Sequence, residues 1–287
     1  MQNVIFGLIT GSILAIAAIG FAMIWQSEGF PNIAHGQLVM LGAYLAFFFV
    51  SDLALNIFVA GLLTAVMVGI LGVGIGRFFF RPVASSGVLP KIFTSIGLAN
   101  LLYGVSRVVF GGKVNFFPTG FGARFDLGPV NITVGELLIV TGTSASVAGL
   151  AVFLTKSRLG GWIRASVSNP ELARLRGVPV ERVSDAVWFI ASFLAGLAGV
   201  MVGLIGNVNS ELGWEQTLII LAATVVGGLG RIYGVLVASL ILGLAMDLSG
   251  LVIPAGYRLA VAFGALILVL LVRPQGLFAI AGRKEAI

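Results

Sequence analysis

Apolar runs close to the length of a bilayer crossing recur along this chain, over 3–25, 34–50, 55–79, 88–110, 132–154, 183–206, 217–248 and 257–272. Inside hydrocarbon no water is present to bond backbone groups, so each run must close its own hydrogen bonds as a helix. A crossing takes roughly 20 apolar residues, with about 17 as a practical minimum unless the helix is broken or shielded. The run 217–248 is interrupted by Gly227-Gly228-Leu229-Gly230-Arg231, which divides it into two short pieces. Only 10% of the residues are charged and 59% are hydrophobic, against roughly 25% charged in soluble domains. The expected fold is an all-α integral membrane protein, a polytopic bundle of eight to ten spans with broken or re-entrant helices, in a single domain over 1–287. The first run lacks a basic segment ahead of it and exceeds the usual signal-peptide core, so it is read as a retained span.

Basic residues orient the bundle. The longest polar interruption, Lys156 to Arg182, holds six of the 17 Lys and Arg residues. Placing it in the cytoplasm and counting crossings puts Arg77, Arg81 and Lys91 on the same side. Splitting 217–248 at Arg231 brings Arg273, Arg283 and Lys284 there too. In this nine-crossing arrangement only Arg107, Lys113, Arg124 and Arg258 lie outside. Carboxylates show no such bias. The C-terminus is then cytoplasmic and the N-terminus outside. The net charge of +6 is thus accounted for by membrane orientation, and nucleic acid is not an expected partner.

Within 156–182 a very short helix is marked at both ends. Asn169 suits the N-cap, Pro170 the first helical position and Glu171 the positive helix start. Arg174 and Arg176 complement the negative end, Gly177 suits a left-handed cap, and Pro179 forbids continuation. A helix of about two turns is marginal alone in water, so this one needs a partner. Leu172, Leu175 and Val178, spaced by three, form the apolar stripe it would offer. A helix lying on the membrane surface, its basic residues on headgroups, is the other reading of the same pattern.

Several chemistries find no support in the residues. There is no G-x-x-x-x-G-K-[ST] phosphate loop, so nucleotide chemistry must sit on another polypeptide. One His and no Cys give a poor metal-ligand set, and His35 has no paired acid for an intramembrane hydrolase. The middles of the runs are nearly free of charge, which disfavours a proton or sodium relay. A mostly uncharged pathway powered from outside the chain fits better.

A second informative stretch is GFPNIAHGQLVMLGAY, residues 29–44. Pro31 and Gly36 break or start a helix at membrane depth, where freed backbone groups need protein or water partners. Asn32, His35 and Gln37 either cap that break or touch solute. With Gly36, Tyr44 and the glycines of the later break, Gly227, Gly228 and Gly230, they are the candidate pathway or broken-helix residues.

These residues also carry a resemblance. GFPNIAHGQLVMLGAYLAF resembles the N-(F/L)-A-H-G-E-x-x-M-x-G-A-Y signature of branched-chain amino acid permeases of ABC importers, the LivH/LivM group with its urea and amide relatives. RASVSNPELARLRGVPVERV resembles that family's cytoplasmic loop. TVVGGLGRIYGVLVASLILGL and LVRPQGLF resemble its C-terminal motifs. The match runs in order over nearly the whole chain and is nearer the LivH-type half. Gln37 stands where many relatives carry Glu, a change in pathway polarity that bears on solute preference.

The resemblance implies a division of labour in a bacterial or archaeal inner membrane. An extracytoplasmic binding protein delivers the solute, and two permeases form the pathway, the second being LivM-like or a copy of this chain. Two ATPase subunits bind ATP and magnesium, leaving this chain without a cofactor. The helix at 169–178 then becomes the coupling helix, with Leu172, Leu175 and Val178 as its apolar contact and Arg174 and Arg176 at the rim. Lys113 and Arg124 face the binding protein. The expected cargo is a branched-chain or other amino acid. Urea or a short amide is the alternative, and a stand-alone secondary transporter or channel is the rival from another class.

Overall fold

A computed structural model describes residues 2–118, 124–126, 131–228 and 231–278. Nine apolar helices account for most of them. Six are long enough to cross a membrane: α1 (Gln2–Glu28), α3 (Ile57–Ile75, continued by a π-helical turn, Gly76–Phe80), α4 (Val88–Phe110), α5 (Val134–Lys156), α8 (Val180–Ile205) and α10 (Ile232–Ser249). Three are shorter: α2 (His35–Ser51), α9 (Leu212–Gly227) and α11 (Arg258–Val272). Two short polar-region helices, α6 (Arg158–Ser168) and α7 (Pro170–Leu175), lie between α5 and α8. The protein is an all-α polytopic membrane bundle.

Local chemistry sets many of the boundaries. Asn56 opens α3 by accepting the Phe58 N–H at 2.9 Å. Thr133 and Glu136 form a reciprocal capping box at the start of α5, which satisfies two otherwise orphaned donors. Gly228, at φ +91°, ends α9 at the break expected around Arg231.

The hydrophobic core is built around α1, whose middle from Gly11 to Ile24 is buried. It contacts α5, α8, α9 and α10. Glycines set how near those neighbours come. A Cβ added to Gly11 would lie 2.8 Å from the Leu240 Cα of α10, so the two backbones touch. Such seating suits membrane helices, which gain contact mainly from dispersion and close approach. α2 and α3 pack on α8, and α11 packs on α9 and α10. By contrast α4 and α5 leave most of their surface uncovered.

Contacts between elements sort the polar residues into two ends. Arg77 and Arg81 meet Asp185, Lys91 meets Glu28, and Arg164 and Arg231 line one cavity. At the opposite end Arg258 pairs with Asp247, and Arg107 bonds Tyr103, which donates to Glu211 of the α8–α9 connection. The grouping agrees with the crossing pattern read from the sequence.

Two features go beyond that reading. The segment 111–133 contains a small antiparallel pair, β1 (Arg124–Asp126) and β2 (Asn131–Thr133), with Phe125 opposite Ile132. It is also stapled to the α8–α9 connection by paired bonds between Asn115 and Val208, each 2.9 Å.

Candidate functional site

The chain leaves α1 at Glu28 and turns back into the bundle through Gly29, which adopts φ +74°. By residue 35 it has reached mid-depth: His35 Nε2 donates to the Ala17 carbonyl at 3.0 Å, and Ala17 lies near the middle of α1. So α2 begins inside the bundle instead of at its surface. Asn32 helps to start it, its Oδ1 accepting the Ala34 N–H at 3.2 Å. The Ile33 N–H donates to Ser95 of α4, and the Ile33 carbonyl accepts from Thr217 of α9. Gly36 sits against Gly213 and Thr217, with no room for a Cβ. Gln37 lies against Gly213 from the other side.

Asn32, His35 and Gln37 are all fully buried. Asn32 Nδ2, His35 Nδ1 and both amide atoms of Gln37 have no partner among the described residues. Buried polar atoms favour partners, so the break sets a cluster of polar side chains within an apolar core. In this conformation none of the three is open to a solute.

Tyr44 stands one end further up α2, also fully buried. Its ring stacks on Phe110 with centroids 4.5 Å apart. Ser210 donates to the Gly111 carbonyl, which leaves Tyr44 as donor to Ser210 at 3.3 Å. Tyr44 thus ties α2 to the end of α4 and to the α8–α9 connection, at the end away from the Arg cluster. Gly227 closes α9 against Val235 of α10, a Cβ there falling 2.6 Å from the Val235 Cα. Gly228 makes the turn, and Gly230 lies outside the described residues.

At the basic end Asn169 caps α7, accepting the Leu172 N–H at 2.9 Å. Gly177 takes φ +79° just past the helix, a backbone shape that favours glycine. Leu172 and Leu175 are 51% and 85% exposed, an unusual display for leucines on so short a helix. Glu171, Arg174 and Arg176 are exposed beside them. The stripe differs from the expected one at its last member. Val178 turns inward onto the core, because the chain past Gly177 must re-enter to begin α8. The residue of α7 that is buried is Ala173.

The polar interruption holds more structure than a single helix. α6 precedes α7, capped by Ser157, which accepts the Gly160 N–H at 2.8 Å. It buries Gly160, Ile163 and Ser166. The serine after Lys156 was the available signal, but glycines at 160 and 161 obscured it. Equally unforeseen is a three-residue clamp at the foot of α8. Arg77 binds Asp185 through two nitrogens, at 2.7 and 3.1 Å, and Arg81 binds it at 2.7 Å. Arg81 also donates to the Glu181 carbonyl at 3.1 Å. The π-helical turn sets both arginines on the side facing α8, and charge-assisted forked contacts of this kind fix orientation.

At the other end Lys113 is exposed and Arg124 opens β1. A cavity of about 340 Å³ lies there between the ends of α1, α8, α9 and α10. Asn207, Asn209, Glu215 and Arg258 line its polar side, and Ile13, Leu14 and Met246 are among its apolar walls.

Comparison with known proteins bears on the whole chain. Residues 3–271 match the family described as "Branched-chain amino acid transport system / permease component". The high-affinity branched-chain amino acid transport system permease protein LivH of Escherichia coli (strain K12) is 31% identical over 99% of this chain and 96% of its own. The ribose import permease protein RbsC of the same strain is 30% identical over 91% of this chain and 82% of its own. PsaBC from Streptococcus pneumoniae in complex with Fab has a TM-score of 0.53 at 15% identity, covering 96% of this chain and 92% of that one. That last likeness is one of fold.

Proposed function

We propose that this chain, which belongs to the branched-chain amino acid transport permease family, forms half of the membrane pathway of an ABC importer in a bacterial or archaeal plasma membrane. Its cargo is a branched-chain or related amino acid. ATP is bound with magnesium and hydrolysed on two separate ATPase subunits, and this chain carries no cofactor. A second permease, a copy or a paralogue, completes the pathway. An extracytoplasmic binding protein delivers the solute to the end that presents Lys113, Arg124 and the cavity around Arg258. The end bearing Arg77, Arg81 and α7 is cytoplasmic, and the C-terminus lies there too.

The observation that carries this reading is α7. A capped six-residue helix holds Leu172 and Leu175 out of the protein on the side richest in Lys and Arg. A helix that short draws little stability from its own bonds, and its leucines are left without cover among the described residues. An ATPase groove supplies that cover. Nucleotide binding can bias the permease only through contacts that differ between two conformations, and the exposed leucines of α7 support a contact of that kind there. Ala173 anchors it to the bundle, and the Asp185 clamp ties the helix that follows to α3.

Leu175→Arg tests the reading in proteoliposomes holding the assembled transporter. Burying an unpaired charge in the groove costs several kcal/mol, so solute-stimulated ATP hydrolysis and uptake should fall by at least about tenfold. The permease itself should still insert and purify. Normal uptake in that variant would sink the proposal. A panel of leucine, valine, urea, a short amide and ribose then identifies the cargo. Because Gln37 is fully buried, its amide gives no ground for preferring urea or an amide over an amino acid.

A further inference from the structure

Between α1, α5, α6 and α10, at the end that carries most of the Lys and Arg residues, the surface opens into a cavity of about 610 Å³. A smaller one of about 230 Å³ adjoins it, sharing Gln26, Leu154, Arg164 and Ile232. Much of the lining is apolar: Val147, Leu150, Leu154, Leu236 and Val237 contribute to it. The mouth is cationic. Arg164 of α6 and Arg231, which precedes α10, both line it, and neither guanidinium pairs with a carboxylate among the described residues. Arg231 is also the N-cap of α10 and makes no side-chain cap bond, so the positive end of that helix opens in the same place. Finally, Gln26 Nε2 is buried at the cavity with no acceptor among the described residues.

We propose that this cavity is a binding site for one anionic phospholipid. Its phosphate sits between Arg164 and Arg231, within reach of Gln26, and an acyl chain lies along Val147, Leu150 and Val237. Two unpaired guanidinium groups beside an uncapped helix start call for an anion. A free anion has no use for apolar walls, and a zwitterionic lipid neutralises its own phosphate. Basic pockets between membrane helices near the cytoplasmic leaflet are suited to anionic headgroups. The site rests on the orientation proposed above, with the arginine-rich end cytoplasmic, and it does not depend on which solute the protein carries or on how it is driven.

The test uses the purified full-length chain, stripped of native lipid and titrated with phosphatidylglycerol or phosphatidylcholine. Native mass spectrometry counts the bound molecules. One phosphatidylglycerol should be retained at a concentration at least about tenfold below that needed for phosphatidylcholine, as expected for two cationic groups near one phosphate. The paired substitution Arg164→Ala and Arg231→Ala should abolish that preference, whereas Arg174→Ala with Arg176→Ala should keep it. Val147→Trp, which fills the apolar wall and leaves both charges, should also lose the lipid. Equal retention of the two lipids would overturn the proposal, as would a preference that survives either cavity variant. Displacement by millimolar inorganic phosphate would assign the site to a free anion and overturn it as well.

Discussion

A glycine does two different jobs in this bundle, and a single added methyl group separates them. At Gly11 a Cβ would meet the Leu240 Cα at 2.8 Å and the Ser239 carbonyl at 3.0 Å. These are backbone atoms of α10 that cannot rotate away. Gly11→Ala is therefore expected to cost about 1–3 kcal/mol as an overpacking change, read as a lowered melting temperature of the purified protein. At Gly97, on α4, a Cβ meets nothing within 4 Å. There alanine should be neutral or stabilising by up to about 1 kcal/mol through helix propensity. Equal effects at the two sites would mean that α1 and α10 are not in backbone contact. The sequence alone does not say which of its 40 glycines meet a neighbour. His35 makes the same point about polar residues. Its position after Pro31 and Asn32 announced a broken helix, yet its partner, the Ala17 carbonyl, lies 18 residues away on a surface that exists only once α1 and α2 have packed.

Element boundaries follow hydrophobic length, and this is why they were legible. The division of 217–248 at Arg231 followed from crossing parity and basic residues, and α9 and α10 indeed meet there. The caps of α7 were equally legible, because Asn169, Pro170 and Gly177 act within their own few residues. The illegible parts depend on contacts across the bundle: α6, the β1–β2 pair, and the π-helical turn that aims Arg77 and Arg81. That turn suggests a test of the α3–α8 junction. Asp185→Asn leaves two guanidinium groups facing an amide. With the arginines 53% and 41% exposed, solvent screening limits the loss to about 1 kcal/mol. The melting temperature should drop at low salt, and the gap to wild type should narrow as ionic strength rises. A salt-independent drop would assign the clamp's role to packing instead of charge.

At the scale of the whole molecule, the two ends differ in charge, and the chain's lack of cysteine makes the difference measurable. Single cysteines placed by Lys113→Cys and Arg174→Cys should label in opposite compartments with a membrane-impermeant maleimide, the first from outside intact cells and the second only after lysis. Labelling of both from one side would invalidate the crossing pattern. The seating of Gly7 and Gly11 on α10, with Gly243 returning the contact, has a kinematic meaning too. A shear of α1 past α10 would drive Leu240 and Leu244 into the opposing main chain, so the two helices must translate together as one stiff post. Close-packed interiors shift between discrete arrangements and do not deform continuously. Any displacement of α1 therefore carries α10 with it.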